Sequence, residues 1–137
     1  MGNSLIRKSD EVVCAGFPLI SSRDQPLMFP TITRGKVSHL SAGMLQTSCC
    51  IQSGTSGGPV VSYPRGELVG IVVCNASSAG SKALFPRVNM AVPTTVFKSP
   101  IEEYLRTQDV RSLSVFENRD AMVQRMWNLN LTPFSHL

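Results

Sequence analysis

The chain has 137 residues, of which 42% are hydrophobic and 16% charged. That supplies one buried core, so the chain reads as one domain or one half of a two-lobed protein, and the composition argues against disorder, collagen and coiled coil. The formal net charge of +4 is scattered, with Arg7-Lys8 the only adjacent basic pair, so no stripe suited to nucleic acid forms.

The first two thirds read as β structure. Glu11 to Gly16 is a short apolar strand that ends on a glycine, and Ser21 to Pro26 is polar and loop-like. Pro30 to Leu40 alternates and is rich in β-branched residues, with Gly35 read as a bulge or bend. Met44 to Ser48 is another short strand. Val60 to Ser62 and Glu67 to Cys74 flank Tyr63-Pro64-Arg65-Gly66, a tight hairpin turn. Ala83 to Val92 supplies a last strand, interrupted by Pro86. Short strands between Gly/Pro turns point to a small barrel or sandwich. After Pro93 the pattern becomes helical. Thr94 and Thr95 are placed to cap a helix running to about Arg106, with Pro100 at or near its first turn. A second helix is expected from about Val115 to Asn128. Its Phe116, Val123 and Trp127, beside Met122 and Met126, form a face that packs on the barrel.

No stretch approaches the roughly 20 apolar residues that span a bilayer. The start does not read as a secretory leader, because Arg7, Lys8, Asp10 and Glu11 follow at once, and Ile6 breaks the myristoylation pattern. Cys14, Cys49, Cys50 and Cys74 include no C-x-x-C pair, so neither a metal site nor a cofactor is expected. Reduced thiols are the default without a secretory leader, and the glycosylation sequons Asn75-Ala76-Ser77 and Asn130-Leu131-Thr132 are expected to be idle for the same reason.

The sharpest feature is Gly54-Thr55-Ser56-Gly57-Gly58-Pro59, between two strand-like runs. A nucleophilic serine needs exposure on a tight turn, backbone N–H groups aimed at one spot, and no bulky neighbour. Glycines on both sides meet these needs. The amides of Gly54 and Ser56 are then candidates for an oxyanion hole, each donor of which contributes about 2.7–4 kcal/mol to transition-state stabilisation. A bare Gly-x-Ser-Gly is often only a hairpin turn. The full hexad in an all-β setting favours chemistry.

Residues Leu45 to Val61 resemble the nucleophile region of the trypsin-like serine proteases, and within them the HtrA-type branch, which typically runs Gln-Thr-Asp-Ala-Ala-Ile-Asn-Pro-Gly-Asn-Ser-Gly-Gly-Pro-Leu. Gly66 to Ile71 resembles the family's next hairpin, and Asn89-Met90-Ala91-Val92-Pro93 resembles its Asn-Phe-Ala-Ile-Pro before the terminal helix. Upstream, Ala15 to Pro18 and Thr31 to Ser38 resemble Gly-Asn-Pro and Thr-Val-Thr-x-Gly-Ile-Val-Ser. The resemblance covers about residues 11 to 107. It implies an all-β fold with C-terminal helices: the second β-barrel of the two-barrel chymotrypsin/trypsin-like fold. The implied division is an N-terminal segment 1–10, the barrel 11–93 and a helical segment 94–134. The resemblance further implies Ser56 as nucleophile and a specificity pocket based on Cys50, with walls from Val73, Cys74 and Asn75. With no acidic residue at that base, a small or medium uncharged P1 side chain is expected. Gln52 stands where the secreted branch carries a disulfide cysteine, which agrees with a reducing compartment.

A triad also needs a histidine and an orienting carboxylate, in the family order His, Asp, Ser. His39 and His136 are the only histidines, and no Asp or Glu lies between His39 and Ser56. His39 is therefore not expected to be the base, and Asp10, Glu11 and Asp24 do not fall at the family's triad positions. The barrel that bears His and Asp is expected to be missing, which leaves the chain nearly inactive by itself.

The chain ends Ser135-His136-Leu137, which is similar to the S-K-L peroxisomal import signal. Together with the protease motif, this tripeptide resembles the peroxisomal leader-peptide-processing protease family. That resemblance implies a serine endopeptidase acting on peroxisomal precursor proteins in the peroxisomal matrix, with an import receptor bound through residues 135–137. It leaves homo-oligomerisation open. The rival from another class is a catalytically inactive half-domain acting as a binding or regulatory module. Either way, an apolar face should stay uncovered where a first barrel docks.

Overall fold

The computed structural model describes residues 6–18, 29–77, 83–117 and 119–127. Six strands form a closed antiparallel barrel. They are β1 (Glu11–Gly16), β2 (Thr31–Leu40), β3 (Leu45–Thr47), β4 (Pro59–Ser62), β5 (Leu68–Ser77) and β6 (Leu84–Pro93), in the spatial order β1-β2-β3-β6-β5-β4. Closure removes every free sheet edge. The period-2 patterning decides which side chains face inward: Val12 and Cys14 from β1, Leu45 and Thr47 from β3, Val60 and Ser62 from β4. With Val37, Cys49, Ile51, Val69, Val72 and Ala91 they fill the interior. Each fully buried Val or Leu contributes roughly 1.5–3 kcal/mol. Cys14 and Cys49 meet in this core, and the hydrogen bond between them, with burial, holds the Cys14 thiol above its ordinary value.

Four local expectations are corrected. The irregularity in β2 falls between Val37 and His39, not at Gly35. Gly35 is instead a point of close approach, where an added Cβ would collide with the backbone of Ser48 and Cys49. The strand Leu84–Pro93 runs unbroken through Pro86, although its pairing with β5 jumps from Asn75↔Asn89 to Ala76↔Phe85 and so skips residues 86–88. A proline tolerates this position because its lost donor is not needed where no rung forms.

The third correction concerns helix α1 (Thr94–Thr107). Pro93 is its N-cap residue, with no side-chain cap. Thr94 turns inward and donates to the Val69 carbonyl at 3.3 Å, and Pro100 lies inside the helix rather than at its start. The fourth is the second helix. Residues Val110–Glu117 form a 3-10 helix, and α2 spans only Ala121–Trp127. Asp120 accepts from the Met122 and Val123 amides, at 2.8 and 3.5 Å, and so starts α2 there. Val123 and Trp127 do reach the barrel, at Gly43, but Phe116 belongs to the 3-10 helix and is half exposed.

Candidate active site

The hexad forms the loop that leads into β4, folded against the end of β1. Thr55 is the buried anchor. Its N–H donates to the Gln52 carbonyl at 3.0 Å, and its methyl group lies against Gly16. Gly54 has φ +98°, and an added Cβ would sit 2.5 Å from the Phe17 carbonyl oxygen. Phe17 donates back to the Gly54 carbonyl at 3.3 Å. Gly57, at φ +84°, faces open space, so its requirement is conformational alone.

This anchoring leaves Ser56 exposed at the tip. Thr55, Gly57 and Gly58 spend their amides on Gln52, Val72 and Thr55 carbonyls. Among the described residues, the amides of Gly54 and Ser56 donate to no backbone carbonyl. The loop thus alternates spent and unspent donors, and the unspent ones flank Thr55 beside the exposed hydroxyl. In the resting arrangement the Ser56 Oγ–H donates to the Val73 carbonyl at 2.8 Å. A cleft of about 490 Å³ opens between the hexad, Pro30 and Ala15–Phe17.

The residues expected to form the specificity pocket lie on two adjoining segments, one of which meets the serine through Val73. Val73, Cys74 and Asn75 follow one another on β5, with Val73 exposed and Cys74 and Asn75 partly buried. Cys50 is partly exposed in the segment before the loop. The structure brings this segment against β5, because Asn75 Nδ2 donates to the Ile51 carbonyl at 3.0 Å. Burial pushes the Cys74 thiol above its ordinary value, which keeps it uncharged at neutral pH. Two residues escaped the sequence reading. Thr47 and Asn89 are both fully buried, and Thr47 Oγ1 donates to Asn89 Oδ1 at 2.6 Å while Asn89 Nδ2 donates to the Cys49 carbonyl at 2.6 Å. An amide side chain at the start of the buried run Asn89-Met90-Ala91 was the available signal.

His39 lies at the opposite end of β2 from the cleft. Eight residues separate it from Thr31, which pairs with Gly16, a span on the order of 25 Å in a strand. Asp10 accepts from the Arg7 amide, and Glu11 pairs with Arg34, which also stacks on the Tyr63 ring at 4.0 Å. These carboxylates sit at the start of β1, away from Gly16. Asp24 and the terminal Ser135, His136 and Leu137 lie outside the described residues.

The family model described as trypsin-like peptidase domain matches residues 1–71, and the chain belongs to that family. It is 33% identical over 105 residues to the human peroxisomal leader peptide-processing protease, and equally so to the mouse protein of that name. Each match covers 73% of this chain, but 19% of the human and 18% of the mouse protein, so the chain spans about a fifth of the curated relatives it matches. An HtrA-type protease solved with a decapeptide shares the fold, with a TM-score of 0.54 at 23% identity over 76% of this chain and 31% of that one. These comparisons agree with the barrel and its C-terminal helices as a chymotrypsin-like arrangement.

Proposed function

We propose that this chain is the nucleophile-bearing barrel of a serine endopeptidase that processes leader peptides of peroxisomal proteins. The observation that carries it is the pair of unspent amides, Gly54 and Ser56, beside an exposed serine hydroxyl in a family loop. Ser56 Oγ attacks the peptide carbonyl carbon while a base takes its proton. The carbonyl oxygen becomes an oxyanion between the Gly54 and Ser56 amides. Collapse expels the amine, which takes a proton, and leaves an acyl-enzyme that water hydrolyses. The P1 side chain enters beside Cys50, Val73, Cys74 and Asn75, which present no charge and so favour a small or medium uncharged residue.

In this reading the base and its orienting carboxylate come from outside this chain: His39 sits at the far end of β2 from the serine, and His136 is assigned to the terminal tripeptide. The base must also draw the Ser56 hydroxyl from the Val73 carbonyl, giving up one neutral hydrogen bond of about 1 kcal/mol. The test is labelling of Ser56 by a fluorophosphonate. The isolated 137-residue chain should label negligibly, and the full-length protease carrying this chain should label rapidly. Robust labelling of the isolated chain overturns the missing base. No labelling in either form favours the binding-module reading.

The names of the relatives support a peroxisomal location, which we extend to the matrix, with Ser135, His136 and Leu137 as the sequence the import receptor binds. The barrel occupies residues 11–93 and the helical segment 94–134 in this division. A fluorescent protein fused before residues 126–137 should enter peroxisomes. Deletion of Leu137 should leave it in the cytosol.

A further inference from the structure

Thr47, Asn89 and Asn75 lie opposite one another on three neighbouring strands. Thr47 pairs with Asn89 across β3 and β6, and Asn89 pairs with Asn75 across β6 and β5. A polar row through a barrel wall is costly unless its groups are satisfied, and among the described residues Asn75 Oδ1 is the one atom of this row without a partner. Here the row turns two of its donors onto a single short segment. Asn89 Nδ2 donates to the Cys49 carbonyl at 2.6 Å, and Asn75 Nδ2 donates to the Ile51 carbonyl at 3.0 Å. A third bond runs from the Ile51 amide to the Pro86 carbonyl at 3.0 Å. That carbonyl is free for it because residues 86–88 bulge out of the β5–β6 ladder. The three bonds bracket Cys50 on both sides.

The chemistry of the row explains its residue types. A carboxamide offers a donor and an acceptor on one plane, and the two ends look alike to their surroundings. The Cys49 carbonyl can only accept, so it turns Nδ2 of Asn89 towards Cys49, and the Thr47 hydroxyl donates to the Oδ1 that remains. Removing that hydroxyl leaves Oδ1 buried without its donor and loosens the hold on Asn89, although the donor to Cys49 is untouched.

We propose that Thr47 and Asn89 are positioning residues for substrate specificity: with Asn75 they hold Cys50 at the base of the P1 pocket, six positions before the nucleophile. This rests on the proteolytic reading above. Neither residue touches the peptide. They act through the backbone on either side of Cys50.

The test uses Thr47→Val and Asn89→Leu, both close to isosteric. In the 137-residue chain, the rate of maleimide modification at Cys50, resolved from the other cysteines by peptide mapping, reports whether the segment holds its place. It should rise about tenfold in each variant, as for the loss of one buried hydrogen bond, with hydrogen exchange of the β1 and β4 amides unchanged. Faster exchange throughout β1 and β4 would mean that the whole barrel has loosened, and an unchanged Cys50 rate would mean that the row does not hold the segment. Either result overturns the proposal.

In the full-length protease, the ratio of kcat/KM between two peptides differing only at P1 should shrink about tenfold in Thr47→Val, with the loss on the preferred peptide. Equal losses on both peptides overturn the specificity role even if Cys50 has moved. If the wild-type protease cleaves neither peptide, the proteolytic reading has failed, and the thiol rates still decide whether Thr47 and Asn89 hold Cys50. Should Asn89→Leu not fold, Thr47→Val alone decides both arms.

Discussion

The two ends of the barrel are finished differently. At the β2–β3 turn the chain covers itself. Trp127 Nε1–H donates to the Gly43 carbonyl at 2.8 Å, Ser41 Oγ donates to the Met126 sulfur at 3.1 Å, and Val123 packs where a Gly43 side chain would be. At the other end, around Gly16 and the hexad, nothing described caps the barrel. Phe17, Phe29 and Ile32 stand 42%, 74% and 65% exposed, and among the described residues the Gly54 and Ser56 amides donate to no backbone carbonyl. The covered end contributes stability. The open end gives up burial and hydrogen bonding, and in the proposed function that room takes a peptide and the surface that brings the base.

The sharpest way to break this contrast is at Gly58, where a side chain would collide with the Ala15 carbonyl oxygen. Gly58→Ala should cost about 3 kcal/mol or more by chemical denaturation, because β1 or the loop must move. A neutral result would mean that the loop end is not packed as described. At the covered end, Trp127→Ala should cost about 2 kcal/mol through lost packing and the lost bond to Gly43. Hydrogen exchange should then accelerate at residues 41–44 and leave 54–58 unchanged. Faster exchange at 54–58 would show that the two ends are coupled.

A smaller effect is expected at the open face. Ile32→Thr should change stability by no more than about 0.5 kcal/mol, yet reduce self-association by light scattering, since the side chain is mostly in water already. Unchanged association would place the sticky surface elsewhere. The smallest effect is at Cys74. Its folded thiol holds its proton more tightly than the unfolded one, so the contribution is full below the ordinary value of 9.0 and is lost as pH rises above it. Wild type compared with Cys74→Ser should show this as a slightly steeper loss of stability at alkaline pH. Parallel curves would place Cys74 in water.

Much of this contrast was visible in the residues. β1 reproduces Glu11 to Gly16, and the hexad stood out because its glycines are spaced around a serine. Helix ends were less legible. Thr94 looks like a cap, but the Val69 carbonyl is a partner that only the packed sheet supplies. Residues 115–117 look continuous with α2, but they end a 3-10 helix and the Asp120 carboxylate begins a new one. Thr47 and Asn89 were hidden for a different reason. They are 42 positions apart, and only the β3–β6 register puts a hydroxyl opposite an amide.

By itself the sequence determined the strand periods, the glycine-flanked serine loop and the family, because each is a local pattern in which glycine, serine and alternating apolar side chains have few other uses. The tertiary structure decided what depends on distant partners. It left the Gly54 and Ser56 amides without a backbone acceptor among the described residues, sent His39 to the far end of β2, and hung Cys50 between two asparagines from different strands. Hydrogen bonds and close backbone approaches act across space, and barrel closure sets which residues share that space.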